Sequence, residues 1–440
     1  MADTRIAFVH GRRVWDSRGR PTVEVEVALA GGATGRAIAP AGASTGTGEV
    51  AELRDHGPAF GGYGVGRAVA AINREIAPAL IGQDSSDQAA IDSIMVRLDG
   101  TDDRSRLGGN AIVASSMAVL QARAAADGVA LWRHLSGSSK VRMPLPEIQI
   151  FGGGAHAARR VDIQDFMVMC PAAGTFSEAL EWTAEVYRAA GLLMARAGKL
   201  QGVADEGGYW PVFASNEEAL DTLVRSIEDA GFKPGKDVCI SLDIAASEFG
   251  ANGEYKLALD GKRLDTAAMI DMLGGWIDAY AIISLEDPLA EDDAAGFGAF
   301  VRRFGNRCQI IGDDFLVTNA ARVAQAGVDR TATAVLIKPN QAGTITEAHA
   351  ALQAGKAAGF GTIVSARSGE TEDITIAHLA VGWDAGQLKV GSFSRSERMA
   401  KWNECLRIEE ALGDEAVFVG WSGLGFSDGR RGAGPSLRTF

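Results

Sequence analysis

The second half of the chain repeats one pattern, a short apolar run followed by a longer alanine-rich stretch with helical spacing. Most runs lack polar alternation, which is typical of strands covered on both faces of a parallel sheet. They lie at 238–242, 281–285, 309–311, 334–337, 362–364 and 387–390. A few tens of residues separate neighbouring runs, enough for a strand, a helix and two turns. The pattern therefore favours an α/β protein with a (β/α)8-type barrel over a doubly wound sheet.

A different pattern precedes the barrel. In residues 21–29 apolar residues alternate with acids, as in a strand with one solvated face. The Gly-, Ala-, Ser- and Thr-rich stretch 41–48 is typical of a mobile loop, and alanine-rich helical stretches follow it. A linker near residue 143 ends this part. We predict a smaller α+β capping domain over 1–142 and a barrel with the catalytic site over 143–440.

Composition narrows the classes of partner. A formal net charge of −13 argues against a nucleic-acid-binding surface, and no apolar run reaches the roughly 20 residues of a membrane span. The N-terminus lacks the basic and apolar segments of a secretory signal. The four cysteines at 170, 239, 308 and 405 are far apart and form no CxxC pair. These features predict a cytoplasmic protein with buried thiols and with neither a nucleic acid nor a membrane as partner.

Charged residues stand at the ends of the apolar runs. They are Asp243, Glu286, Asp313, Lys338, Arg367 and Lys389. The carboxyl ends of barrel strands converge on one mouth, where active sites are built. Any one of these residues alone is equally well explained as a strand-end cap or a surface ion pair, but six at successive ends favour a site.

The residue types at these strand ends predict a chemistry. Three carboxylates without a neighbouring Cys or His suit a hard cation such as Mg²⁺. A lysine close to metal ions and other cations loses proton affinity and can act as a base. We therefore expect removal of a proton next to a substrate carboxylate, with metal ions stabilising the resulting ene-diolate.

Ordered motifs along almost the whole chain resemble those of enolases. They are DSRG at 16–19, GASTG at 42–46, ELRD at 52–55, DEGG at 205–208, LDIAASEF at 242–249, LEDP at 285–288, GDD at 312–314, LIK at 336–338, SGETED at 368–373 and RSER at 395–398. The sequence is identified as a member of the enolase family on these motifs. Lysine-plus-Mg²⁺ proton abstraction is the known chemistry of that superfamily.

The resemblance implies a metal site and an assembly. Asp243, Glu286 and Asp313 would hold the main Mg²⁺, and Ser44 would close over a second one, so two Mg²⁺ per active site are expected. Enolases are commonly dimers, which implies a homodimer or a higher homo-oligomer. Arg18 and Arg398 lie in motifs that contribute to the dimer interface of that family.

The resemblance also implies a role for each residue around a small anionic phospho- or phosphonocarboxylate substrate. Lys338 would abstract the α-proton, and Lys389 would bind the substrate carboxylate. The phosphoryl group would be held by Arg367, Ser368 and His156. Glu206 would act as the general acid on the leaving-group side, together with Asp165. For 2-phosphoglycerate the product would be phosphoenolpyruvate.

Three positions depart from the enolase pattern where the family handles the leaving hydroxyl. The histidine of Ser-His-Arg-Ser is Ala366, the glutamate of Gln-Glu-Phe is Asp165, and the first glycine of Gly-Asp-Glu-Gly-Gly is Ala204. Ala366 removes a donor and opens space. Shortening a carboxylate by about 1.5 Å can detach Asp165 from a partner, because useful contacts span only about 2.6–3.2 Å.

Two arginines after the histidine loop, Arg159 and Arg160, are open to two interpretations. They are suited to neutralising an additional anionic group on the substrate, since guanidinium pairs well with carboxylate or phosphoryl oxygens. The alternative is that they belong to a solvated loop.

Three functional hypotheses follow. The first is enolase activity on 2-phosphoglycerate. The second is a specialised paralogue with a bulkier or more anionic substrate, such as the carboxyphosphonoenolpyruvate synthase of phosphonate (phosphinothricin-type) antibiotic biosynthesis. The third is a catalytically silent, enolase-like binding protein, which the intact lysines and metal carboxylates argue against. The departures at Asp165, Ala204 and Ala366 favour a paralogue that is altered on the leaving-group side.

Overall fold

The computed structural model describes residues 3–43, 45–137 and 139–425. Ser44 and the C-terminal stretch 427–440, which we expected from the sequence to be a loose end, therefore lie outside the described residues. The first part of the chain is a three-stranded antiparallel sheet with helices packed on it. Its strands are β1 (Ile6–Trp15), β2 (Pro21–Leu29) and β3 (Thr34–Ile38). Its helices are α1 (Gly66–Ala71), a π-helical turn (Ile72–Ile76), α2 (Ala77–Leu80), α3 (Gln88–Asp99), α4 (Gly109–Ala126) and α5 (Leu131–Ser136).

The alternating run predicted as a strand is β2, the centre of this sheet. Its valines are fully buried in the apolar core. Glu24 and Glu26 both accept hydrogen bonds from Arg12 on β1, which explains how acids are accommodated on this strand. On β3, a Cβ at Gly35 would lie 2.2 Å from the backbone nitrogen of Ala122, so glycine permits the close approach of α4 to the sheet.

Eight strands close into a barrel in the order β10-β11-β12-β13-β14-β4-β5-β6. They are β4 (Leu145–Gly152), β5 (Asp165–Met169), β6 (Cys239–Asp243), β10 (Ile282–Glu286), β11 (Gln309–Gly312), β12 (Ala334–Ile337), β13 (Gly361–Ser365) and β14 (Gln387–Ser392). The six apolar runs correspond to β6 and β10–β14, which confirms the predicted barrel. A small antiparallel sheet, β7 (Gly250–Ala251), β8 (Glu254–Leu257) and β9 (Lys262–Asp265), follows β6.

The barrel differs from the expected uniform βα rhythm at β5, which is antiparallel to both of its neighbours. Only residues 153–164 join β4 to β5, and they contain the 3₁₀ turn Gly154–Ala157. A parallel return usually runs through a crossover helix, and this connection contains only the short turn, so the chain turns back instead. As a result the start of β5, at Asp165, lies at the mouth beside the end of β6, at Asp243.

Helices cover the outside of the barrel. They are α6 (Phe176–Arg196), α7 (Asn216–Asp229), α8 (Thr266–Ala279), α9 (Ala294–Phe304), α10 (Ala320–Asp329), α11 (Pro339–Ala342), α12 (Ile345–Ala357), α13 (Thr375–Gly382) and α14 (Ser396–Leu412). Most begin at a capping side chain that accepts a hydrogen bond from a backbone N–H of the first turn. These caps are Thr175, Ser215, Asp265, Asp293, Asn319 and Thr344. Such a cap contributes about 1 kcal/mol. Among the described residues, no helix is long and apolar enough to span a membrane.

Candidate active site

The charged residues predicted at strand ends do meet at the barrel mouth. Asp243 and Glu286 end the adjacent strands β6 and β10, where they are register partners. Asp313 and Lys338 directly follow β11 and β12, and Lys389 lies on β14. All five are buried.

The two lysines pair with the three carboxylates. Lys389 Nζ donates to Asp243 Oδ2 at 2.8 Å and to Glu286 Oε2 at 2.7 Å. Lys338 Nζ donates to Asp313. Burial acts to lower the pKa of both lysines, but the carboxylates outweigh it, so each pKa lies above its ordinary value. Each ammonium group is thus held by carboxylates that a metal ion would also bind.

The carboxylates fit a hard cation on two observations. Burial and the adjacent Asp243 raise the pKa of Glu286 well above its usual range, and Glu286 Oε1 is buried without a hydrogen-bond partner among the described residues. The donor set consists entirely of oxygen atoms, as Mg²⁺ prefers. A cation would satisfy that oxygen and stabilise the ionised carboxylate.

A second group of carboxylates includes Asp313, one of the three predicted metal ligands. The carboxylate oxygens of Asp287, Asp313 and Asp314 come within 4.8 Å of one another. Asp287, however, accepts backbone N–H bonds from Asp313 at 2.9 Å and Asp314 at 2.8 Å. Its oxygens are thus used to shape the turn after β11, which orients Asp313. We regard Asp287 as a support for Asp313 and not as a replacement for Asp243 or Glu286.

The leaving-group side contains a buried hydrogen-bonded group. His156 Nδ1 lies 2.9 Å from Asp165 Oδ1, and its Nε2 lies 3.0 Å from Ser368 Oγ and 3.5 Å from Glu206 Oε1. Burial acts to lower the pKa of His156, but Asp165 and Glu206 outweigh it and raise that pKa to about 9. The imidazole is therefore cationic at neutral pH. The shorter Asp165 is not detached, because it also accepts a hydrogen bond from Gln149.

The predicted phosphoryl side adds a residue that sequence reasoning missed. Arg367 pairs with Glu49, at 2.9 Å from Nη1 to Oε2 and 3.2 Å from Nη2 to Oε1. Glu49 follows the glycine-rich loop and also accepts a hydrogen bond from the backbone N–H of Gly46 at 3.0 Å. The pair raises the pKa of Arg367 further, although burial opposes this. Only the position of Glu49 directly after the glycine-rich stretch could have suggested it.

The same segment rests on Arg398, whose side chain is fully buried within the chain. Its guanidinium donates to the carbonyl oxygens of Arg367 at 2.7 Å, Val390 at 2.9 Å and Ser368 at 2.5 Å. Arg398 therefore fixes the backbone of the site from within the fold, and the part of its motif in a dimer interface stays a prediction.

These groups surround a small pocket at the barrel mouth. Its lining includes Ala43, His156, Gln164, Asp165, Glu206, Asp243, Lys338, Ala366, Arg367, Ser368 and Lys389. Ala366 thus occupies the wall where the enolase pattern has a histidine, while Ala204 is buried beside Gly152. The pocket therefore lies between the proposed base and metal ligands on one side and the residues predicted for the leaving group and the phosphoryl group on the other.

The two arginines after His156 are not part of this lining. The Arg159 side chain is 69% exposed and pairs with Glu248 at 2.7 Å. Arg160 is also exposed. The structure therefore places both on the solvated loop, as in the second of the two interpretations.

Comparisons with known proteins agree with this geometry. The family model described as "Enolase, C-terminal TIM barrel domain" matches residues 140–424, and "Enolase, N-terminal domain" matches residues 6–135. The chain belongs to the enolase family. It is 50% identical over 421 residues to "Enolase 1" of Desulfitobacterium hafniense (strain Y51). The aligned residues cover 95% of this chain and 96% of that relative. It is accordingly a Mg²⁺-dependent lyase of the enolase superfamily.

Proposed function

We propose that this enolase-family protein converts 2-phosphoglycerate to phosphoenolpyruvate. The observation that carries the proposal is the buried mouth at which Asp243, Glu286 and Asp313 each contact one of two strand-end lysines. The 50% identity to a curated enolase supports the same reaction. The retained residues are those needed to form an enolate from a carboxylic acid.

Lys338 is the proposed base for the α-proton. It is buried, which acts to lower its pKa, and Arg367 and Lys389 add to this effect. Asp313 opposes them and keeps the ammonium form in the arrangement described. Asp313 thus favours the protonated form of Lys338, whereas Arg367 and Lys389 favour loss of the proton.

Asp243, Glu286 and Asp313 are the proposed metal ligands. Ser44 is the proposed additional ligand from the glycine-rich loop. When bound there, two Mg²⁺ would supply charge stabilisation for the substrate carboxylate as it gains negative charge. Lys389, between Asp243 and Glu286, would hold that carboxylate in place.

The opposite wall would release the hydroxyl group. Glu206 lies beside the cationic His156 and is the proposed general acid for the leaving hydroxyl. Arg367, Ser368 and His156 would bind the phosphoryl group, since all three are buried donors around the same cavity. Asp165 keeps the imidazole oriented through its Nδ1.

A homodimer, a cytoplasmic location and an altered substrate remain predictions. The comparisons support enolase activity and give no support to a phosphonate substrate or a silent binding role. The one feature that would favour a different substrate is Ala366 on the cavity wall, where space replaces an imidazole.

The test is a direct assay of 2-phosphoglycerate with Mg²⁺, followed by the ultraviolet absorbance of phosphoenolpyruvate beside a known enolase. We expect turnover within the range of that control. Turnover lower by orders of magnitude, with α-proton exchange still detectable by NMR, would instead assign the enolate chemistry to another substrate. A nucleotide-activated phosphonoformate is then the compound to offer. Absence of both turnover and exchange would refute the proposal.

A further inference from the structure

Gln149 forms hydrogen bonds with both Asp165 and the loop that carries Glu206. It lies on β4 and is fully buried. Its Oε1 accepts the backbone N–H of Gly208 at 2.8 Å, and its Nε2 donates to Asp165 Oδ1. A backbone N–H can only donate, so Oε1 must face Gly208 and Nε2 must face the carboxylate. The amide orientation is thereby fixed.

The Gly208 end holds the loop that carries Glu206. The carbonyl of Gly208 accepts the N–H of Ala204 at 2.7 Å, which closes residues 204–208 into a tight turn. A Cβ at Gly208 would lie 2.4 Å from Gln149 Oε1 and 2.8 Å from the nitrogen of Gly152. This turn therefore has no room to shift towards β4, and a shorter side chain at 149 would leave the Gly208 N–H unpaired.

The Asp165 end sets the direction of His156. Asp165 Oδ1 accepts from both Gln149 Nε2 and His156 Nδ1. Asp165 Oδ2 has no hydrogen-bond partner among the described residues and lies 3.7 Å from Lys389 Nζ. One carboxylate oxygen thus carries the whole link between β4 and the imidazole, and its position depends on the combined length of the two side chains.

We propose that Gln149 is a positioning residue whose length complements the short carboxylate of Asp165, so that one amide aligns both the His156 imidazole and the Glu206 loop. The proposal rests on the proposed function for its kinetic consequence, since there His156 binds the phosphoryl group and Glu206 is the general acid. It assigns to Asp165 a specific partner and explains why a carboxylate one methylene shorter than the enolase pattern still holds its histidine.

The test exchanges the extra methylene between the two positions. Gln149→Asn opens a gap to Asp165, Asp165→Glu crowds the amide, and the double variant keeps the summed length. We expect each single change to lower kcat on 2-phosphoglycerate about 10–100-fold, because misplacement by about 1 Å costs this much. The double variant should recover most of the loss, with a larger effect on kcat than on KM. Additive losses would overturn the proposal, since coupling is expected only for residues in contact.

Gln387→Asn is the matched control. Gln387 is also fully buried inside the barrel, on β14, and its Oε1 accepts a hydrogen bond from Gln309 at 2.8 Å. Combined with Asp165→Glu, it should show no rescue. Rescue by this control would mean that general relaxation of the barrel, and not the Gln149 contact, restores activity.

A readout without turnover separates this inference from the proposed function. In protein labelled with ¹⁵N-histidine, the His156 ring signals should shift in Gln149→Asn and return in the double variant. If the wild type fails to turn over 2-phosphoglycerate, the proposed function falls while these signals still test the contact. Should Gln149→Asn not fold, Gln149→Glu keeps the shape but turns an oxygen towards Asp165. Unchanged His156 signals in that folded variant would refute the contact.

Discussion

Arg398 offers a prediction whose size follows from the structure. Its guanidinium donates to three buried carbonyl oxygens, those of Arg367, Ser368 and Val390. The Ser368 carbonyl also accepts from Ser17 Oγ at 3.3 Å, so Arg398→Met leaves the other two acceptors unpaired. A buried acceptor left unpaired costs about 1–3 kcal/mol, so the free energy of unfolding should fall by at least about 2 kcal/mol. That is a large fraction of the roughly 5–15 kcal/mol typical of a folded domain.

The assay is urea unfolding, together with titration of the folded protein by inorganic phosphate. We expect weaker phosphate binding in Arg398→Met, because the freed carbonyls belong to the segment that carries Arg367 and Ser368. Arg395→Met is the control, since Arg395 starts the same helix and donates to one carbonyl, that of Ser17, at 2.7 Å. It should cost about 1 kcal/mol and leave phosphate binding unchanged. A loss below 1 kcal/mol in Arg398→Met, or unaltered phosphate affinity, would refute the reasoning.

Three further predictions concern charge. The pKa of His156 is raised to about 9. Its protonated form therefore stabilises the folded state fully below the unfolded-state pKa of about 6.5, and this contribution is lost as pH rises through 9. The free energy of unfolding should fall across this pH range in the wild type and stay flatter in His156→Gln. Mg²⁺ at 100 times its Kd should stabilise the wild type against thermal unfolding by about 2.7 kcal/mol. Glu286→Gln should abolish most of this stabilisation. An equal stabilisation of that variant would exclude Glu286 as a ligand. Arg159→Ala should change stability by less than about 0.5 kcal/mol and leave turnover intact, because its ion pair is solvent-exposed; a large loss of turnover would return Arg159 to the site.

Much of the barrel could be predicted because its parallel strands are buried on both faces and read as continuous apolar runs. β4 gave no such run, since Pro146, Glu147 and Gln149 interrupt it, and the short apolar run of β5 at 166–169 was not among the predicted strands. The reversal of β5 goes with a connection that lacks a crossover helix, which the apolar pattern of the strands does not reveal. The strand-end charges could be predicted because barrel geometry brings strand ends together.

Contacts made across long stretches of sequence could not be predicted. Glu49 meets Arg367 across 318 residues, and Arg398 reaches backbone carbonyls that carry no residue-specific pattern. Gln149 acts through an amide whose two ends contact β5 and the loop that carries Glu206. The family motifs named Asp165 as a departure, but only the folded chain shows that Gln149 contacts it. The positioning residues of the site thus became visible only with the structure.

The central claim is that Lys338 removes the α-proton at the mouth formed by Asp243, Glu286 and Asp313. The most direct measurement is exchange of the α-proton of 2-phosphoglycerate with deuterium from solvent, followed by NMR with Mg²⁺ present. Wild-type protein should exchange that proton, and folded Lys338→Ala should not. Exchange at the wild-type rate in Lys338→Ala would contradict the assignment of the base.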